Sequence, residues 1–191
     1  LLPWGFSFRT ARNSRILRTI TLMIIVCLFS FPVYGKYGGG TGEPNNPYLI
    51  YTAEQMNTIG AESNDWDKHF ILMADIDLSG YRGDSFNIIG YHEDWRYDRP
   101  FSGVFDGDGK TISNFSYTST GRGYLGLFGK VDGANAEIKD LRLSNPNVTT
   151  GTEKYAGSVA GLLNNGALRG CYVEGASISG QVESTGGLAG A

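Results

Sequence analysis

Two cysteines, two histidines and three tryptophans in 191 residues leave few routes to sulfur, metal or imidazole chemistry. Cys27 falls inside an N-terminal apolar run, so once that run is removed Cys171 is the only thiol and no intramolecular disulfide can form. The histidines exclude a zinc-peptidase helix. His92-Glu93 opens like HExxH, but position 96 is Arg96, and the only other imidazole is His69. Excess positive charge is also missing: 16 basic residues face 19 acidic ones. No apolar run reaches the roughly 20 residues that span a bilayer.

The longest such run, Ile20 to Phe31, follows Arg9, Arg12, Arg15 and Arg18, and Val33-Tyr34-Gly35 closes it on a small residue. A basic region, a short apolar region and a small-residue exit describe a secretory signal peptide over 1–35, cut after Gly35. A lipoprotein site at Cys27 is disfavoured because Val26 is not small. Removing the leader takes four basic and no acidic residues, leaving 12 against 19 and a net charge of −7. That balance argues against nucleic acid and anionic membrane surfaces as partners. No Met precedes Met23 and the last repeat is incomplete, so the chain reads as a fragment of an exported protein.

Glycine is abundant, and 18 of the 28 lie in 101–191, where long helices would each lose about 1 kcal/mol per interior glycine. A pattern recurs among them: Leu127-Phe128-Gly129, Val159-Ala160-Gly161 and Leu188-Ala189-Gly190, the glycines 32 and 29 residues apart. Fixed-period self-similarity means one supersecondary unit stacked on copies of itself. Three short strands per unit of about 30 residues, separated by Gly and Asn turns, describe a coil of a β-solenoid, with ladder bonds about 4.8 Å apart along the stack. Upstream, 36–46 (KYGGGTGEPNN) reads as a flexible linker. Pro47 to Tyr51 reads as a strand, and Thr52 with Gln55 as a capping box for a short helix ending at Gly60. That helix would cap the first coil. Alternation from Phe70 to Leu78, then Phe86 to Gly90, Phe101 to Phe105 and Thr111 to Phe115, predicts further strands, with a turn at Asp106-Gly107-Asp108-Gly109.

These residues resemble the GLUG-motif family of bacterial secreted and cell-surface proteins. The resemblance is carried by Gly126-Leu127-Phe128-Gly129, by Tyr155-Ala156-Gly157-Ser158-Val159-Ala160-Gly161 and by Gly186-Gly187-Leu188-Ala189-Gly190. FILMADIDLSG (70–80) and FSGVFDGDGKTISNF (101–115) are similar to the lead-in ahead of such repeats. The first repeat is one glycine short and the second has Ser158 in place of one. The resemblance implies an all-β fold, a right-handed parallel β-helix with a short N-terminal capping helix, on an exported protein. The cap and first coils would cover 47–118 and the repeats 119–191. It implies no activity: such repeats also occur as accessory segments of immunoglobulin-A-specific metallopeptidases, where a separate domain cuts.

Residues with chemical potential are few. Gly121-Arg122-Gly123-Tyr124-Leu125-Gly126 matches GxGxxG, but the following LFGKVDG is too turn-rich for the helix that motif needs. Asp75, Asp77, Asp106 and Asp108 are the acidic pairs to weigh, as Ca²⁺ ligands or as glycosidase-type carboxylates. DGDG lacks the remaining EF-hand positions, and turns ask for Asp and Gly anyway. The 91–100 loop (YHEDWRYDRP) is the expected ligand-binding feature, with Tyr91, Trp95 and Tyr97 stacking on sugar rings and Glu93, Asp94 and Asp98 bonding hydroxyls. Asn114 and Asn147 head glycosylation sequons, which most bacteria do not use. Cys171 is expected to face the core.

The expectation is a non-catalytic, secreted or surface-exposed scaffold, a stalk or adhesin-like module binding carbohydrate or an extracellular protein. It has no membrane insertion and no cofactor beyond a candidate Ca²⁺. A carbohydrate-active β-helix enzyme and an accessory segment of a larger secreted hydrolase are the alternatives.

Overall fold

A computed structural model describes residues 35–90, 99–119, 121 and 123–191, with backbone alone at 153 and 154. The leader and most of the 91–100 loop, including Tyr91, Trp95 and Tyr97, lie outside the described residues. Fifteen short strands and one α-helix are present among the described residues, and all inter-strand pairing between named strands is parallel. The strands stack as a β-solenoid.

Four faces run along the stack. The first holds β1 (Tyr48–Ile50), β2 (His69–Leu72), β4 (Val104–Asp106), β9 (Glu137–Lys139) and β13 (Ala167–Arg169). The second holds β3 (Ile76–Asp77), β5 (Thr111–Ser113), β10 (Arg142–Ser144) and β14 (Tyr172–Glu174). The third holds β6 (Ser116–Thr118), β7 (Tyr124–Leu125), β11 (Asn147–Gly157) and β15 (Ser177–Gly186). The fourth pairs β8 (Phe128–Asp132) with β12 (Ala160–Asn164), extended by bridges from Ile89 to Phe128 and from Ala160 to Ala189. The glycine-rich sequence therefore makes four sides per coil rather than three. The third strand runs on past a register shift between Thr149 and Thr152, and the chain then folds back into the fourth.

Inward positions form ladders of like residues. Phe70, Phe105, Ile138 and Leu168 are in register on the first face. Ile76, Ile112, Leu143 and Val173 are in register on the second, and Tyr117, Val148 and Ile178 on the third. An aromatic column threads the N-terminal half: Tyr48 to Phe70 at 5.5 Å, Phe70 to Phe101 at 6.2 Å and Phe101 to Phe128 at 5.1 Å between centroids. Stacking makes this core possible, because no single coil could bury its own apolar side chains.

Corners follow a backbone code. Asp140 (φ 50°) and Gly170 (φ 60°) end the first-face strands; Asn114 (φ 58°), Asn145 (φ 52°) and Gly175 (φ 64°) end the second-face strands. These left-handed positions suit Gly, Asn and Asp. They break the expected continuous strand from Thr111 to Phe115 at Asn114. Likewise the Phe70 to Leu78 run divides into β2 and β3, and in the Phe86 to Gly90 run only Ile89 bridges to the next coil.

The helix α1 (Ala53–Ala61) starts where expected, with Thr52 Oγ1 accepting from Gln55 N at 3.3 Å and Gln55 Oε1 accepting from Tyr51 N at 2.7 Å. It runs through Gly60 to Ala61, and a Cβ at Gly60 would strike the Asn87 carbonyl, so glycine there permits close packing rather than a stop. Met56 and Ile59 are fully buried in the shared core, so β1 and α1 stand in for a preceding coil. The 36–46 segment, expected as a flexible linker, packs along β1. Gly38 N donates to Leu49 O and Leu49 N to Gly39 O, while the Tyr37 hydroxyl and the Lys36 ammonium both donate to buried Asp65 at 2.9 and 2.8 Å.

Candidate functional site

Several outward side chains bond between neighbouring coils. Lys139 Nζ meets Asp106 Oδ2 at 2.8 Å, and Arg169 Nε meets Glu137 Oε1 at 2.8 Å. Asn164 Nδ2 donates to Asp132 Oδ2 at 3.1 Å and Ser144 Oγ to Glu174 Oε1 at 3.1 Å. These contacts set the titration behaviour. The Asn164 amide holds the Asp132 carboxyl below the usual range, and the Asp106 carboxylate raises the Lys139 ammonium.

The four aspartates singled out by sequence sit in separate local roles. Asp75 Oδ1 accepts from Thr111 N at 2.8 Å. Asp77 accepts from Asn114 Nδ2 at 2.9 Å and from the N–H and hydroxyl of Ser79, bonds that lower its pKa. Asp106 Oδ1 accepts from Asp108 N at 2.8 Å in an Asx-turn, and Asp108 pairs with Lys110 at 3.0 Å. Among the described residues, no three His, Cys, Asp or Glu side chains gather at metal-binding distance. His69 lies on β2, on the first face.

The repeat residues lie where the third face turns into the fourth. Leu127, Phe128 and Val159 are fully buried, and Leu188 is partly exposed on the last coil. Gly126, Gly129, Gly157, Gly161 and Gly190 do not adopt positive φ. Gly126, Gly157, Gly161 and Gly190 are required by proximity instead: a Cβ on Gly161 would lie 2.5 Å from Leu125 N, and one on Gly190 2.6 Å from Ala156 N. In register, Gly157 faces Gly186 rather than Gly187, and a Cβ on Gly187 would meet nothing. Cys171 is half-buried, with burial pushing its thiol up. Tyr124 and Tyr155 stack in register on the third face, 5.8 Å apart and nearly parallel.

A cleft of about 280 Å³ opens at the corner between the second and third faces. One wall is the 78–88 loop, which contributes Ser79, Tyr81 and Arg82; the other is the stacked corner, with Asn114 and Ser116 on one coil and Asn145 and Asn147 on the next. The loop is pinned by Tyr81 N to Leu78 O (2.9 Å), Arg82 N to Ser85 Oγ (2.8 Å) and Thr118 N to Gly83 O (2.8 Å). The Tyr81 ring rests edge-on against Phe86 at 5.6 Å, and Phe86 against Phe115 at 5.5 Å. Burial, then the Glu54 carboxylate, raises the Tyr81 hydroxyl.

No protein-family model matches the chain. It is 36% identical over 137 residues, 68% of its length, to halomucin of Haloquadratum walsbyi, and 30% identical over 160 residues, 76% of its length, to a protein of Evansella cellulosilytica provisionally described as a Gly-rich membrane protein. The chain spans 1% and 18% of the lengths of these two relatives. Among solved structures it is similar to a Bacteroides ovatus protein provisionally described as an immunoglobulin A1 protease. That match has a TM-score of 0.55 and 22% identity, covering 82% of this chain and 56% of the other. This likeness is one of fold.

Sequence reasoning did not find the cleft. Tyr81 and Arg82 carried no motif, and Asn114 and Asn147 read as sequons. The available signal was the Ser113-Asn114 and Ser144-Asn145 spacing of 31, the same as the period of β5 to β10, which places both asparagines at one corner. The GxGxxG residues that are described belong to the third face and lead into β7, with no helix following.

Proposed function

We propose that this chain is a segment of an exported, non-catalytic β-solenoid that serves as a surface stalk or adhesin-like module of the GLUG type. The observation that carries the reading is the use of the acidic side chains. Asp75, Asp77, Asp106 and Asp108 hold turns and neighbouring coils together rather than converging on a groove. The description of one relative as a membrane protein, the leader-like N-terminus and the stacked architecture support a place at the cell surface. No helix among the described residues is long and apolar enough to cross a membrane.

Surface proteolysis of intact cells carrying the full open reading frame tests this. Peptides from 36–191 should be released while a cytosolic marker stays whole. Retention of the segment inside intact cells contradicts the reading. So does polysaccharide turnover that Asp77→Asn or Asp106→Asn abolishes. The fold likeness to the Bacteroides protein favours one alternative, an accessory segment of a larger secreted hydrolase. Deleting 36–191 from the full protein would then change where the hydrolase acts, with its turnover on a soluble substrate intact.

A further inference from the structure

The corner cleft gathers, in one concave place, several polar side chains that have no partner among the described residues. Other outward side chains bond between coils, as in Asp106–Lys139, Glu137–Arg169 and Asp132–Asn164. In the cleft, the side chains of Tyr81, Arg82, Ser116, Asn145 and Asn147 have no hydrogen-bond or ionic partner among the described residues. Asp77 accepts from two of the lining residues, Asn114 and Ser79. The residues that line the cleft include one cation and no carboxylate, in a chain with more acidic than basic residues.

The backbone that carries the set is fixed. Tyr81 is backed by Phe86 and Phe115, and three backbone or hydroxyl bonds fix its loop. Asn145 is held at its left-handed corner by Asn145 N donating to Glu174 O, and Asn147 by Asn147 N donating to Phe115 O. A rigid aromatic face, two amides that both donate and accept, a hydroxyl and a guanidinium fork match a sugar ring that carries a carboxylate. The ring's apolar face would lie on Tyr81, its hydroxyls would reach Asn145, Asn147 and Ser116, and its carboxylate would pair with Arg82 bidentately. A volume of about 280 Å³ is at the small end of ligand clefts, which run roughly 300–1,000 Å³, and suits one ring rather than a longer chain.

We propose that this cleft binds a single carboxylate-bearing sugar residue of an extracellular polysaccharide. The proposal rests on the adhesin-like reading above and names the ligand class for that function.

Calorimetry with trigalacturonate, a hyaluronan tetrasaccharide and sialyllactose, each against its methyl ester, tests it on the full chain. At least one acid form should bind about tenfold more tightly than its ester, a difference of about 1.4 kcal/mol. Arg82→Gln should reduce the acid form to the ester's affinity. Asn147→Ala and Tyr81→Ala should weaken acid and ester alike, because they act on the ring rather than the charge. Arg82 and Asn147 have no side-chain partners among the described residues, so an unchanged far-UV spectrum is expected for their variants. Equal affinity for acid and ester overturns the proposal. So does inorganic phosphate competing as well as the sugar acid, or binding that Trp95→Ala abolishes and Arg82→Gln leaves intact. Absence of binding to all three acids overturns it too. If surface proteolysis still releases 36–191 in that case, the stalk reading stands without this site.

Discussion

Gly161→Ala adds one methyl group where there is no room for it. The new Cβ would lie 2.5 Å from Leu125 N, 2.7 Å from Tyr124 C and 2.8 Å from Gly129 O, all of them backbone atoms that cannot rotate away. Relief requires separating the coil that contains β12 from the one that contains β7 and β8. That strains the bonds joining them, Phe128 N to Val159 O at 2.8 Å and Leu127 N to Ser158 O at 3.2 Å. Overpacking costs about 1–3 kcal/mol, and weakening one or two such bonds adds about 0.5–1.5 kcal/mol each. The total is about 1.5–6 kcal/mol, and Gly161→Val should exceed it. For a domain of this size each kcal/mol shifts Tm by about 2–4 °C, so a fall of about 3–24 °C is expected for Gly161→Ala. Gly187→Ala is the matched control, since a Cβ there meets nothing, and it should stay within about 0.5 kcal/mol of the parent. Urea and thermal unfolding followed by far-UV circular dichroism give both numbers. A Gly161→Ala protein within about 1 kcal/mol of the parent would refute close backbone approach as the reason for the repeat glycine.

Asn145→Ala should cost about 1–2 kcal/mol, because its φ of 52° is a left-handed conformation, whereas Asn145→Gly should cost much less; chemical denaturation separates them. Stability should decline at alkaline pH. Burial first and the Asp65 hydrogen bond second raise the Tyr37 hydroxyl, and Asp65 raises the Lys36 ammonium. Raised folded values give stability that is complete below the unfolded pKa values, near 10 for both groups, and lost as pH rises above them. Tyr37→Phe should flatten that alkaline slope in pH-dependent urea melts. Burial also pushes the Cys171 thiol up, so iodoacetamide should modify it several-fold more slowly in the folded chain than in urea.

The stack was legible in the sequence because a solenoid repeats its constraints. The same backbone crowding recurs at Gly126 and Gly157, 31 residues apart, and at Gly161 and Gly190, 29 apart, and the glycines record it. The capping box at Thr52 was legible for a local reason: it needs only residues three apart. Gly60 misled because glycine serves both as a helix stop and as a contact point, and only the packing against Asn87 decides between them. The 36–46 segment looked like a linker because its order comes from Tyr37 reaching Asp65, 28 residues away. The corner cleft was hidden for a related reason. Tyr81 and Arg82 meet Asn145 and Asn147 only after two coils have stacked, and nothing local in a Tyr-Arg-Gly-Asp turn marks that meeting.

The central claim is parallel, in-register stacking of coils about 30 residues apart, and a disulfide trap tests it most directly. Thr149 on β11 and Ser179 on β15 are register partners, with hydroxyl oxygens 3.5 Å apart. Adjacent strands bring paired Cα atoms to about 4.8 Å, inside the roughly 4.4–6.8 Å range that a disulfide spans. In a Cys171→Ser background, Thr149→Cys with Ser179→Cys should oxidise rapidly within one chain without lowering Tm. Thr149→Cys with Gln181→Cys, out of register, should not. Equal trapping of both pairs, or trapping of the second alone, would contradict the stacked register.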